Sequence, residues 1–232
     1  MKKIGIIVFA AAILFGVAFA NFISFGKTTE KFFNFSINSD TCGSGNLASE
    51  KRDLDDFTGI DVGGVFEVEI VSQKDFSVEV EADDNLLPLI KTEVRGGVLR
   101  ISTEVDIKSK NSIRVRISAP DMDSIEASGA SKVSVADLKN SELKLDISGV
   151  SKVTLAGETG NLSADISGAS HVNAENLKAE NAAVEASGAS HANVNVTGQL
   201  KADASGASRI NYSGSPKSAE KNSSGASNIS GK

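Results

Sequence analysis

The sequence predicts an all-β fold, a β-solenoid whose coils are each about 19 residues long. The tetrapeptide Ser-Gly-(Ala/Val)-Ser occurs six times between Ser128 and Ser227. Its glycines are 18 to 20 residues apart: Gly129, Gly149, Gly168, Gly188, Gly206 and Gly225. Apolar or alanine residues alternate with polar ones on both sides of each glycine, which is the period-two pattern of a β-strand. A unit of this length is too short for the usual helical repeats of roughly 33 to 47 residues.

Each corner of the coil is expected to be built on the glycine of the tetrapeptide, whose backbone is the least restricted. The small residue that follows the glycine is expected to point inward at the bend, and the flanking serines are expected to hydrogen-bond the turn backbone. The inward residues would then be Ala130, Val150, Ala169, Ala189, Ala207 and Ala226.

The first 20 residues are typical of an export signal. Lys2 and Lys3 precede an apolar run from Ile4 to Phe19, and Ala18-Phe19-Ala20 fits a small-x-small cleavage site. The alternative is an uncleaved membrane anchor that reaches about residue 25, because the apolar run is long enough to span ~30 Å of hydrocarbon. Cleavage would leave the protein in the periplasm, on the cell surface or secreted, whereas an anchor would hold it at the membrane.

Residues 21–42 contain five phenylalanines among polar residues without a clear period, and we expect them to form a linker. Cys42 is the only cysteine of the chain, so it cannot form an internal disulfide and is either a free thiol or a link between two molecules. The β-helical domain is expected to occupy residues 43–232.

The N-terminal half of this domain, from Phe57 to Pro120, keeps the two-residue alternation but lacks the regular corner. Gly63-Gly64 and Gly96-Gly97 are typical of connections between strands. We therefore expect wider, less regular coils there, with hairpins as one option. At the other end the last coil, from about residue 213, is expected to be frayed or to act as a cap, because its inward positions carry little apolar area.

Several motifs resemble the bacterial family called putative auto-transporter adhesin, head GIN domain. They are Gly43-Ser44-Gly45-Asn46, Phe57-Thr58-Gly59-Ile60, the segment from Gly63 to Ile70, Asp84-Asn85-Leu86-Leu87 and the Ser-Gly-Ala-Ser repeats. The resemblance implies a right-handed, single-stranded β-helix in an extracytoplasmic bacterial protein of the cell envelope. It brings no catalytic residues with it.

Charged residues recur at fixed positions on both sides of the corner glycines. Three residues before the glycines stand Glu126, Asp146, Asp165, Glu185 and Asp203, and three residues after them stand Lys132, Lys152, His171, His191 and Arg209. Both sets face outward by parity, so stacked coils would align them in two columns about 4.8 Å apart per step. Either the columns form a solvated face with weak ion pairs, or they form a strip that binds a ligand.

The histidines His171 and His191 would lie on adjacent coils, where two imidazoles could share a metal ion. A metal site wants three or four ligands and no cysteine lies nearby, so we expect neither a metal nor a cofactor. The net charge of −6 at pH 7 makes nucleic acid an unexpected partner, because an acidic surface repels phosphates.

These observations predict an exported, non-enzymatic β-solenoid that works as a binding or scaffolding module, with adhesion as the leading idea. The alternative is a carbohydrate-active enzyme on the same fold, but such enzymes need a groove with walls, and the short turns here provide none. The partner class stays open between an envelope polysaccharide and a protein, and self-association through the terminal coil or Cys42 is a further option.

Overall fold

The computed structural model describes residues 41–232, so the predicted export signal and residues 21–40 of the predicted linker lie outside the described part. The strands of the N-terminal half are β1 (Thr41–Cys42), β2 (Leu47–Arg52), β3 (Gly59–Gly64), β4 (Glu67–Val71), β5 (Ser77–Asp83), β6 (Ile90–Arg95), β7 (Val98–Thr103), β8 (Ile107–Lys108) and β9 (Arg114–Ser118). The strands of the repeats are β10 (Ser124–Gly129), β11 (Lys132–Ile147), β12 (Lys152–Ile166), β13 (His171–Ala186), β14 (His191–Val196), β15 (Gln199–Ala204), β16 (Arg209–Gly214), β17 (Ser218–Ser223) and β18 (Asn228–Gly231).

These residues confirm the predicted all-β solenoid. Apart from the strands, residues 41–232 hold one 3₁₀ turn at Leu87–Leu89 and no α-helix. In this part of the chain, no helix is long and apolar enough to span a membrane.

The repeats pair in parallel, each coil with the next. One face of the solenoid carries the strand order β4-β11-β12-β13-β14-β16-β18, and the other carries β3-β10-β11-β12-β13-β15-β17. The register advances by one repeat at each step, so that Val133 lies opposite Val153 and Val153 lies opposite Val172. Equivalent residues of successive coils therefore form columns.

The N-terminal half closes the solenoid with antiparallel strands, in agreement with the expectation of hairpins. Strand β5 lies between β2 and β9, and it pairs antiparallel with both. Strands β6 and β7 form a hairpin whose turn is the predicted pair Gly96-Gly97, with φ angles of 59° and 78°. At the start of the domain, Thr41 and Cys42 pair with β8, so the last two residues of the predicted linker already belong to a strand.

The core is a stack of inward columns. One column is Leu99, Ile60, Ile125, Leu145, Ala164, Val184 and Ala202, all buried, and its last member is Lys221 of β17. The side chains become smaller toward the C-terminal end, where every residue of β17 is exposed. Lys221 Nζ lies 3.3 Å from the hydroxyl of Tyr212, so that this lysine covers the open end of the core.

The corners are stacked as predicted, and the contacts show why each needs glycine. The six glycines have φ angles between 70° and 76°, in the left-handed region. A Cβ atom on Gly168 would lie 2.4 Å from the carbonyl oxygen of Gly149 in the preceding coil. That oxygen accepts a 2.8 Å hydrogen bond from the N–H of Ala169, so a ladder of backbone bonds joins the corners.

The prediction that the residue after each glycine points inward is wrong. Val150 is 67% exposed and Ala169 is also exposed, whereas the second serine of each of the first five corners is buried: Ser131, Ser151, Ser170, Ser190 and Ser208. A serine is tolerated inside because its hydroxyl can donate to turn carbonyls. Ser208 Oγ, for example, lies 2.8 Å from the carbonyl oxygen of Ser205 and 3.0 Å from that of Ala186.

The structure also reveals one corner earlier than the first tetrapeptide. Gly64 stacks below Gly129, and Ala130 N–H donates to the Gly64 carbonyl oxygen over 2.8 Å. Val65 is 72% exposed and Phe66 is 2% exposed, so they correspond to the exposed alanine and the buried serine of the later corners. Strand β4 begins directly after this corner, at Glu67.

Candidate functional site

The acidic column forms in register. Glu126, Asp146, Asp165, Glu185 and Asp203 lie opposite one another in successive coils, and Asn222 follows Asp203. Neighbouring carboxylates about 4.8 Å apart repel each other by roughly 0.9 kcal/mol in water. The repulsion ends at the last coil, where Asn222 Nδ2 donates to Asp203 Oδ1 over 2.8 Å. A shallow groove of about 280 Å³ runs beside Asp165, Glu185 and Asp203.

The basic column also forms in register, on the other side of the corners. Lys132, Lys152, His171, His191 and Arg209 lie opposite one another in successive coils, and Asn228 follows Arg209. The lysines and the arginine are exposed, and the histidines are half-buried. Lys132 Nζ lies 3.9 Å from Glu67 Oε1, which places an acid at the bottom of the column.

The two histidine rings are stacked on each other. Their centroids are 4.9 Å apart and their planes are 1° from parallel. The nitrogen lone pairs of an imidazole lie in the ring plane, so stacked rings do not direct them at a common ion. Within residues 41–232, no group of three His, Cys, Asp or Glu side chains is placed to hold a metal ion. Burial lowers the pKa of His171 below its ordinary value of 6.5, and the nearby His191 and Lys152 lower it further.

A column of amides beside the basic column was missed in the sequence. Asn173, Asn193 and Asn211 lie opposite one another, each two residues beyond a member of the basic column. Asn211 Nδ2 donates to Asn193 Oδ1 over 2.9 Å and lies 3.2 Å from His191 Nε2, while Ser230 Oγ donates to Asn211 Oδ1 over 2.9 Å. The signal was present, because these amides stand five residues after successive corner glycines.

The other face of the solenoid carries an open groove of about 720 Å³ across the last coils. Its polar lining includes Asn161, Asn181 and Gln199, and its two carboxylates are Glu142 and Glu220. These two carboxylates lie four coils apart, which is about 19 Å at the spacing of stacked strands. Glycoside hydrolysis needs two carboxyl groups within roughly 5 to 9.5 Å of each other, so this pair does not provide that arrangement.

Charges in the N-terminal half are neutralised by close partners. Arg114 Nε lies 3.2 Å from Glu67 Oε2, and Arg116 Nη2 lies 3.2 Å from Glu81 Oε2. The buried carboxylate of Asp83 accepts hydrogen bonds of 2.7 Å from Asn111 Nδ2 and Ser109 Oγ, and these bonds lower its pKa. Arg114, Arg116 and Asp83 thus have their partners within the domain.

Comparison with known proteins decides the family. A family model described as putative auto-transporter adhesin, head GIN domain, matches residues 56–216. The chain belongs to this family. The match to the head GIN domain includes both charged columns as far as Arg209, and it ends before β17 begins at Ser218. No curated protein matches the chain.

Solved structures share the fold of this head GIN domain. A putative adhesin from Bacteroides fragilis NCTC 9343 is 21% identical with a TM-score of 0.69, and the match covers 83% of this chain and 100% of that one. A putative lipid binding protein from Parabacteroides distasonis ATCC 8503 is 17% identical with a TM-score of 0.53, covering 83% and 99%. A putative adhesin from Parabacteroides merdae ATCC 43184 is 19% identical with a TM-score of 0.52, again covering 83% and 99%. At these identities the likeness concerns the fold.

Proposed function

We propose that the protein is an exported, non-enzymatic, adhesin-like module that binds a ligand of the cell envelope or of a contacted surface along its outward columns. Residues 1–20 direct export, residues 21–42 form a linker that precedes the domain, and residues 43–232 form the binding module. Membership of a family named for adhesins supports this function.

The observation that carries the proposal is the register of the outward columns. Equivalent side chains of five successive coils lie opposite one another in both the acidic and the basic column. A rigid surface that repeats one polar group at a constant spacing suits a long ligand that repeats its own groups. Within residues 41–232, the acidic column borders a shallow groove rather than a walled cleft of the kind in which glycosidases work, which favours binding over catalysis.

Fractionation of cells that express the full chain tests export. We expect the protein outside the cytoplasm, and the intact mass of the purified protein distinguishes a chain that begins at Asn21 from an uncleaved anchor. Recovery of the protein from the cytoplasm would refute export.

Incubation of the purified protein with isolated envelopes tests binding. We expect saturable binding without release of new reducing ends from envelope polysaccharide. Release of reducing ends at a rate proportional to protein concentration would instead support the enzyme alternative, and absence of saturable binding would refute the binding function.

A further inference from the structure

We propose that the basic column and the amide column together form a binding site for a linear acidic polysaccharide, which lies along the solenoid across successive coils. This inference rests on the proposed function and names its ligand class. The site is the face formed by Lys132, Lys152, His171, His191 and Arg209 with the neighbouring Asn173, Asn193 and Asn211.

The first argument is that the members of the basic column beyond Lys132 lack acidic partners. The other five arginines of the chain each have a carboxylate oxygen within 4.0 Å: Arg52, Arg95, Arg100, Arg114 and Arg116. Among residues 41–232, no carboxylate lies within that distance of Arg209, Lys152 or either histidine. The chain as a whole has a net charge of −6, so the attraction for a polyanion is local to this face, where an external anion can supply the partner that Arg209 and Lys152 lack.

The second argument is the spacing of the groups. The histidine rings are 4.9 Å apart, and the column from Lys132 to Arg209 is about 19 Å long at the spacing of stacked strands. One coil step is close to the length of one sugar residue in an extended glycan, so uronate carboxylates can meet cations on several coils at once. Binding of linked groups by linked sites raises affinity without requiring strong single contacts.

The third argument is the amide column, which suits sugar hydroxyls. The three asparagines lie roughly 7 Å from the cations along each strand. Asn211 Nδ2 donates to Asn193 Oδ1, and Asn173 Oδ1 accepts from the N–H of Glu175, so these side chains have little conformational entropy left to lose on binding. Single-stranded nucleic acid would need exposed aromatic rings on which its bases could stack. Phe57 and Phe66, two of the four aromatic side chains in residues 41–232, are buried, which favours the polysaccharide.

Protonation of His171 strengthens the site. The groups that face His171 are Lys152 on β12, His191 on β14 and, one coil further, Arg209 on β16. On its own strand the nearest carboxylate is Glu175, which is paired with Lys232. A proton taken up by His171 adds a positive charge beside Lys152, and a bound polyanion relieves the repulsion between these charges.

The test uses the full-length exported protein, with polygalacturonate as the probe. Biolayer interferometry measures the affinity at about pH 5.5 and about pH 7.5, which lie on either side of the ordinary histidine pKa. We expect binding that weakens with salt and that is tighter at the lower pH. The double variant K152Q/R209Q should lose tenfold or more in affinity, on the order of two charge contacts. In the variant H171Q, the ratio of the affinities at the lower and the higher pH should fall toward one.

The matched control is K139Q/K178Q, which makes the same change in net charge at two exposed lysines outside the basic column. Circular dichroism melts of all variants verify that the fold is retained. The inference would be overturned if K152Q/R209Q bound polygalacturonate as tightly as the wild type, or if K139Q/K178Q lost as much affinity as K152Q/R209Q. Binding of neutral dextran as tight as that of polygalacturonate would also overturn it. Displacement of polygalacturonate by single-stranded DNA at lower concentration than by galacturonate oligomers would also overturn it. Saturable envelope binding that persists in K152Q/R209Q would refute this site while leaving the proposed function standing.

Discussion

Replacement of a corner glycine tests whether the stacked corners hold the solenoid together. Gly168→Ala is the informative change, because the corner of Gly168 is flanked by complete coils on both sides. The new methyl group would lie 2.4 Å from the Gly149 carbonyl oxygen, and the residue has a φ angle of 73°. Both the contact and the backbone conformation oppose a side chain.

The expected loss of stability has two parts. The left-handed backbone conformation costs about 1–2 kcal/mol in any residue with a Cβ atom. The contact with backbone adds about 1–3 kcal/mol, the usual cost of excess volume in a packed site. The control is Gly97→Ala, which has a φ angle of 78° but no heavy atom within 4 Å of the new methyl group, so it has only the first cost.

Thermal unfolding followed by circular dichroism measures both variants. At about 2–4 °C per kcal/mol for a chain of this size, Gly97→Ala should lower the Tm by roughly 2–8 °C, and Gly168→Ala should lower it by a further 2–12 °C. Equal decreases of Tm in the two variants would show that the close contact between neighbouring corners adds no cost, and they would refute the role of the stacked corners in stability.

Three further predictions concern the corner, the terminal coil and the histidine pair. Ala169→Phe, at an exposed position, should change the free energy of unfolding by less than about 0.5 kcal/mol, whereas Ser170→Phe should lower it by about 1–3 kcal/mol or more. Equal urea midpoints of the two variants would contradict the burial of the second serine. Truncation after Ser215 should barely lower the Tm, because the removed coil buries little apolar area, and a large drop would show that this coil supports the rest. Because burial and nearby positive groups lower the pKa of His171, the unfolded chain binds its proton more readily, so stability should fall as pH decreases from 6.5 toward the folded pKa. His171→Gln should remove this part of the pH dependence. A urea midpoint of the wild type that does not fall as the pH is lowered from 6.5 would contradict the prediction.

The repeats were predictable because their period is visible in single residues. A glycine every 18 to 20 residues with apolar residues at even distances determines which residues share a column, and the register of Asp146 with Asp165 and of His171 with His191 follows directly. The alternation of strand side chains is a local property, so no knowledge of distant contacts was needed.

Other parts of the fold depend on contacts that sequence patterns do not contain. The inward place at this corner was predicted for Ala169, but Ser170 occupies it, and its hydroxyl lies 3.3 Å from the Gly149 carbonyl oxygen. The antiparallel pairing of β2 with β5 joins segments more than 25 residues apart, and no turn motif announces it. The corner at Gly64 was missed because phenylalanine occupies the position of the buried serine.

The lysine at the end of the core column affects what can stack on the last coil. Each coil offers the next one a row of backbone partners, so an additional coil, or a second molecule, could continue the stack into a fibre. Lys221 occupies the place where such an extension would require an apolar residue, and burial of its ammonium group without a counter-charge would cost several kcal/mol. Lys221 therefore disfavours the stacking of a second molecule on this part of the last coil.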